Sequence, residues 1–198
     1  TATLQLGELW AIPIMLRLAL IENLRRLAAR AYDNRSQRDR ANTWADQMVD
    51  TADKSPSDLI LLVADMARSG QALNSGFVAE LSRRLQGQSP SLTLALQWVT
   101  TRLADAGLTI EQQIQAEIGT QAADQVSISN SIGSLRFLGT MDWQEFVETM
   151  SAVEQTLRQD PAGTYGRMDF ATRDSYRHVI EKLAKQCTFT EVQVAEQA

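Results

Sequence analysis

Between Glu8 and Ala52 the chain keeps a helical pattern with Pro13 as its one proline, and a rod of that length dictates what everything after it must pack against. Pro13 is tolerated near a first turn or at a kink, where a backbone donor is not needed. Leu16, Leu20, Leu24, Leu27, Ala28 and Ala31 mark one face, while Ile14, Leu18 and Ile21 fill the other side of the early turns. A helix that is apolar all round is a buried one. The first half of the rod is therefore expected at the centre of the fold, with neighbours packed about it. From Ala41 onward, Trp44, Ala45, Met48, Val49 and Ala52 follow helical spacing and leave only one stripe to bury.

Shorter helices follow. Ser55-Pro56-Ser57-Asp58 supplies a stop and a new start, after which Leu59, Leu62, Val63 and Met66 recur at helical spacing before Gly70. Phe77, Val78, Leu81 and Leu85 mark the next helix, closed by Gly87. Pro90 opens another that carries Leu92, Leu96, Val99 and Leu103 and ends at Gly107. Thr109 then begins a longer one through Ile110, Ile114 and Ile118. Val126 to Ser134 alternates apolar and polar residues as a strand would, yet its flanks are helical and no second β-rich run exists to pair with it. It is read as helix or irregular helix. Trp143, Phe146, Val147, Met150, Val153 and Leu157 predict one amphipathic helix ending before Pro161, and Tyr176, Val179, Ile180 and Leu183 the buried side of the last strong one. Thr190 to Ala198 adds a fragment.

No repeat, low-complexity tract or linker divides the chain. The expectation is an all-α fold over residues 1–198, an irregular multi-helical single domain around the long N-terminal helix. A length of 198 residues suffices for a real core without disulfides, and Cys187, the sole cysteine, is read as a small half-buried residue in a reducing compartment. A net charge of −5 argues against general affinity for nucleic acid or anionic lipid. Arg25, Arg26, Arg30, Arg35, Arg38 and Arg40 are diluted by acids and lack interleaved aromatics other than Tyr32, so they read as a solvated helix face. The apolar run Leu9 to Leu20 is broken by Pro13 and Arg17 and is too short for a membrane span, which needs about 20 residues. It also lacks the features of a signal peptide. The chain as given is expected to be soluble.

One passage is not explained by helix building alone. Pro161 and Gly163 end the preceding helix, and Asp169, Thr172, Arg173, Asp174, Tyr176 and Arg177 then crowd hydrogen-bonding side chains together more densely than a helix start requires. Asp169 or Thr172 suits the N-cap, with Asp174 in the first turn. Arg173 and Arg177 share a face one turn apart, Arg177 is placed to pair with Glu181, and Tyr176 falls on the predicted buried side. His178 reads as a surface residue beside Asp174.

The pattern Asp160-Pro161-x-Gly163-x-Tyr165-x-Arg167-Met168-Asp169-Phe170-x-Thr172-Arg173-Asp174-x-Tyr176-Arg177 resembles a segment of the cyclic β-1,2-glucan synthases. So do Leu6-Gly7-Glu8-Leu9-Trp10-Ala11-Ile12-Pro13 with Leu16 to Leu27, and Ser131-Ile132-Gly133-Ser134-Leu135-Arg136 followed by Asp142-Trp143. They occur in the family's order. The resemblance implies a fragment of a very large multidomain inner-membrane protein that builds its glucan from UDP-glucose on the enzyme itself. It implies a region N-terminal to the glycosyltransferase, on the cytoplasmic side, with the membrane spans elsewhere and the parent chain's other domains as partners.

No catalytic set is legible within the chain. It has no glycine-rich phosphate loop, no Asp-x-Asp pair and no Gln-x-x-Arg-Trp, and no metal or cofactor is expected. Glu111, Glu117, Glu145 and Glu148 read as solvated helix faces, and Trp10, Trp44, Trp98 and Trp143 as core packing. The candidate contact residues are Tyr165, Arg167, Asp169, Arg173, Asp174, Tyr176 and Arg177. As structure they would clamp the turn to the next helix or dock a neighbouring domain. As a binding site, the arginines would offer planar donors to glucan or a nucleotide sugar.

Overall fold

A computed structural model describes residues 4–198. Among these residues there are α-helices and 3₁₀ turns and no strand, as the periodicity requires. The helices are α1 (Leu6–Lys54), α2 (Leu59–Arg68), α3 (Ser75–Leu85), α4 (Thr93–Ala104), α5 (Ile110–Thr140), α6 (Trp143–Met150), α7 (Ala152–Leu157), α8 (Phe170–Ala184) and α9 (Glu191–Ala195). The alternating run Val126 to Ser134 lies inside α5. Helix starts follow the caps the sequence supplies: Asn74 accepts the Phe77 N–H at 2.9 Å, and Asp142 accepts those of Gln144 and Glu145 at 3.0 Å. Gly107, at φ +71°, reverses the chain after α4, a backbone angle that costs glycine nothing.

Contacts gather into two compact units, one formed by residues up to Glu22 with Ser131–Ala198, the other by Asn23–Asn130. Helices α1 and α5 each contribute to both.

The Asn23–Asn130 unit holds the larger apolar core. The predicted stripe on the later turns of α1 is its spine, with Ala41, Ala45 and Met48 entirely buried. Against the two small alanines and Met48, α2, α3 and α4 bring in Val63 and Met66, Phe77, Leu81 and Leu85, and Val99 and Leu103. Trp44 and Trp98 pack at its margin, half-buried. Each large apolar side chain removed from water there contributes roughly 1.5–3 kcal/mol. Glu117 is also buried, contrary to its reading as a solvated residue. Arg38 reaches its Oε1 at 2.6 Å, and the Ser75 hydroxyl donates to Oε2 at 3.0 Å. A buried carboxylate persists only with such donors.

The other unit has two small apolar clusters, Leu6, Leu9 and Val147 in one, Val153, Ile180 and Ala195 in the other. Here the expectation for α1 fails. Ile14, Met15, Leu18 and Ile21 are 54–63% exposed, so the early turns are not the centre of anything. Only Leu6, Leu9 and Pro13 among their neighbours are buried. Apolar residues on every side fix how much a helix can bury, and the described elements cover only part of it. Cys187 is likewise exposed instead of half-buried.

Phe77→Ala should cost about 3–5 kcal/mol of unfolding free energy by urea denaturation. Leu18→Ser, on the exposed turns of α1, should change it by less than about 0.5 kcal/mol. A large loss from Leu18→Ser would contradict the exposure of those turns.

Candidate functional site

The densest chemistry lies on α6, α7, the turn after it and α8. Where one helix is predicted from Trp143 to Leu157, the backbone is extended at Ser151, with φ −76° and ψ 116°. Ser151 terminates α6 and its hydroxyl accepts the Glu154 N–H at 3.2 Å, so it begins α7 at once. That break turns Glu148, near the end of α6, and Glu154, in the first turn of α7, toward the same space.

Across from them, the turn is built by Asp160, whose carboxylate accepts the N–H groups of Ala162 and Thr164 at 2.8 Å and Tyr165 at 3.1 Å. These bonds, Tyr165 first, hold its carboxyl below the usual range. The turn delivers Tyr165 inward, and its hydroxyl donates to Glu154 Oε2 at 2.6 Å. Asp169 then caps α8 by accepting the Thr172 N–H at 2.8 Å, which sets the phase of Arg173 and Arg177.

Arg177 is fully buried. Its Nη1 meets Glu154 Oε2 and lies 3.3 Å from Glu148 Oε1, its Nη2 is 3.0 Å from Asp174 Oδ1, and the guanidinium sits 5.0 Å above the Phe170 ring. The Nε–H alone is buried without an acceptor. Arg173 approaches Glu148 Oε1 through Nη2 at 2.6 Å and Nε at 3.0 Å, and donates through Nη1 to the Met168 carbonyl. Arg158 binds Glu154 Oε1 at 2.7 Å. Three carboxylates, Glu148, Glu154 and Asp174, thus face three guanidiniums, Arg158, Arg173 and Arg177.

The balance shows in the titration. Burial pushes the Glu154 carboxyl up, but donation from Tyr165, Arg177 and Arg158 and the Arg177 charge outweigh it and hold it below the ordinary range. Burial and the bond to Glu154 push Tyr165 up. Burial lowers Arg177, but its bonds to Glu154 and Asp174 prevail and raise it. Each group is held in the charge state it already has, which makes a clamp and does not poise a proton for transfer. No three His, Cys, Asp or Glu side chains converge as a metal would require among the described residues.

Of the candidate contact residues, Tyr165, Arg173, Asp174 and Arg177 come together. Asp169 stays at the helix start. Arg167 donates to the carbonyls of Gly163 at 3.0 Å and Ala162 at 3.3 Å, bracing the turn from outside. His178 lies at the surface with Nδ1 3.3 Å from Asp174 Oδ2. The predicted buried side of α8 is corrected in part: Ile180 is buried as expected, but Tyr176, Val179 and Leu183 are about half exposed and Arg177 is buried in their place. Balanced charge lets an arginine occupy the place assigned to apolar residues. Arg177 does not pair with Glu181, which binds Lys185 at 2.7 Å. Glu148, assigned to solvent, and Glu154 and Arg158, not singled out, are the missing partners. Ser151-x-x-Glu154 was the available signal, since that spacing opens a helix and should have divided the predicted one.

Beside the clamp, Tyr165 and Tyr176 stand edge to face at 6.2 Å. They line a groove of about 550 Å³ with Leu157, Pro161, Met168 and Ala195.

No protein-family model and no solved structure matches the chain. Over 194 residues, 98% of its length, it is 36% identical to the cyclic beta-(1,2)-glucan synthase NdvB of Rhizobium meliloti (strain 1021). It spans 7% of that relative, so the resemblance carried by the three passages holds as likeness to one region of a much larger protein.

Removing one partner of the buried set, as in Arg177→Met or Glu154→Leu, should cost about 3–5 kcal/mol, and the double variant should recover a large part of it. Glu154 also sets a pH dependence. Its lowered native value means that its contribution is complete above the ordinary glutamate value of 4.5 and is lost as pH falls below that toward the native value. Denaturation midpoints between pH 7 and about 3 should therefore fall less steeply for Glu154→Gln than for the parent chain. Equal slopes would remove Glu154 from the network's electrostatics.

Proposed function

We propose, taking the chain as a region of the cyclic β-1,2-glucan synthase family, that it is a non-catalytic helical module. It supports or docks the glycosyltransferase and other domains of a synthase at the cytoplasmic side of the inner membrane. The observation that carries this reading is the closure of the polar cluster. The side chains best suited to chemistry, Glu148, Glu154, Tyr165 and Arg177, pair with one another, the Arg177 Nε–H excepted, and hold α7 to α8. A second observation supports docking in particular. Ile14, Met15, Leu18 and Ile21 form a contiguous exposed apolar face on α1, of the kind that marks an interaction surface. Among the described residues no helix is long and apolar enough to cross a membrane.

The alternative is a glucan- or nucleotide-sugar-binding module, favoured by the groove beside Tyr165 and Tyr176. The half-exposed Tyr176 ring offers a face on which a sugar could lie.

The test is Ile14→Asp with Leu18→Asp. In the 198-residue chain alone, helicity and unfolding midpoint should stay close to those of the parent. In the whole synthase, the pair should reduce assembly and glucan output at least ~10-fold, the equivalent of about 1.4 kcal/mol or more at the interface. Undiminished assembly and output would refute the docking role. Loss of output only on Tyr176→Ala would favour the alternative.

A further inference from the structure

The groove beside Tyr165 and Tyr176 carries a charge pattern that the clamp does not account for. Two acids stand on its lining, Asp160 on the turn and Glu196 at the end of α9, and no lysine, arginine or histidine lines it among the described residues. Asp160 is held ionised by the N–H groups of Tyr165, Ala162 and Thr164, which bring it no compensating unit charge. Arg167, whose charge also reaches Asp160, is engaged outside the turn with the Gly163 and Ala162 carbonyls and does not line the groove. Glu196 is exposed and has no ion-pair partner among the described residues. It stands at the C-terminal end of a helix, where the backbone dipole favours a cation over an acid.

The rest of the lining is largely apolar and aromatic, with Leu157, Met168 and the two tyrosines, and Tyr176 is half exposed. A ring face near carboxylates is a favourable seat for a guanidinium or ammonium, whose aliphatic stem can lie along apolar surface. Tyr176 also begins a stripe. Val179 and Leu183 follow it at three and seven residues, both about half exposed and on the same face of α8. Seven residues of helix span about 10 Å, two turns, which matches the spaced anchors of an amphipathic helix laid against them. Lys182, beside the far end of that stripe, is exposed and has no ion-pair partner among the described residues. It would repel a base there, so the groove end is the place for a cation and the stripe the place for apolar side chains.

We infer that the groove and the α8 stripe together seat a basic amphipathic helix of a protein partner. One lysine or arginine of that helix lies over the Tyr176 ring within reach of Asp160 and Glu196, and two apolar side chains rest on Val179 and Leu183. The net charge of −5 favours encounter with a cationic segment. None of the α1 residues assigned to docking takes part, so the inference does not depend on that role.

The test is a titration of the ¹⁵N-labelled 198-residue chain with two alanine-based helical peptides. Each bears one arginine with leucines three and seven residues away, in one order or the reverse. The backbone signals of Tyr165, Tyr176, Val179, Leu183 and Glu196 should shift together with at least one peptide and saturate at millimolar concentration. The same peptide with glutamate in place of arginine should bind at least ~10-fold more weakly. Glu196→Lys should weaken the arginine peptide ~5-fold with the melting temperature unchanged. Should that variant fail to fold, the two peptides on the parent chain decide alone. No shift with either arginine peptide at several millimolar, or equal binding of the glutamate peptide, overturns the inference. Shifts of Tyr176 with a neutral linear glucan but with neither peptide also overturn it and give the groove to a sugar. A neutral sugar is indifferent to the sign of the charge at position 196, so Glu196→Lys separates the two readings of Tyr176. The docking role is read from synthase assembly with the α1 variants and can fail without this one.

Discussion

A fully buried guanidinium is the constraint on which the unit built from the chain's two ends depends. Burying the charge of Arg177 is tolerable only if acids surround it in good geometry. This explains features that otherwise look unrelated: the break at Ser151 that turns Glu154 inward, the Asp160 turn that delivers Tyr165, and the Asp169 cap that sets the phase of α8. Phe170, at the first position of α8, completes the cage with its ring face. The most densely polar passage of the sequence is therefore polar for reasons of internal fit. Lysine could not replace Arg177 there, since one ammonium cannot reach Glu148, Glu154 and Asp174 through a planar fork.

The two units are held by different physics. In the Asn23–Asn130 unit, apolar stripes on α1, α2, α3 and α4 meet in one cluster, and tolerance to small hydrophobic exchanges is expected of such a core. In the other, the apolar clusters contain only a few buried residues each, and directional bonds fix the register of short helices. Such bonds are unforgiving. Loss of one member leaves another charge buried and uncompensated.

How much of this was legible in the sequence depended on the range of the interaction concerned. Helix existence and phase were readable wherever a single stripe faced a core: Ala41 to Ala52, Leu59 to Met66, and Phe77 to Leu85 all bury the residues that periodicity selects. The Val126 to Ser134 run was also rightly helical, because a strand needs a partner and none was available. Periodicity failed where it had to supply a destination. Ile14, Leu18 and Ile21 are apolar on the α1 surface, but a pattern cannot say whether the covering element lies within the same stretch of chain. On α8 it failed for another reason: Arg177 was counted as polar and assigned outward, although pairing across 23 and 29 residues with Glu154 and Glu148 sends it inside. In the candidate site the arginines and the tyrosine were found because they cluster locally. Asp174 was found with them, but Glu148 and Glu154 were missed because they lie on helices that precede the turn.

Burying an arginine at the meeting point of α6, α7 and α8 also bears on the role such a unit can fill. An apolar cluster of three or four side chains can slide or repack at little cost, whereas the fork of Arg177 accepts one arrangement of Glu148, Glu154 and Asp174. The surface that these helices present is thereby fixed to within the tolerance of a hydrogen bond. The exposed apolar turns of α1 belong to the same unit as the clamp, so a partner docking there, as proposed above, would meet a body whose internal geometry is already set. Preorganisation of this kind lowers the entropic cost of association, because the module has little left to order when its partner arrives.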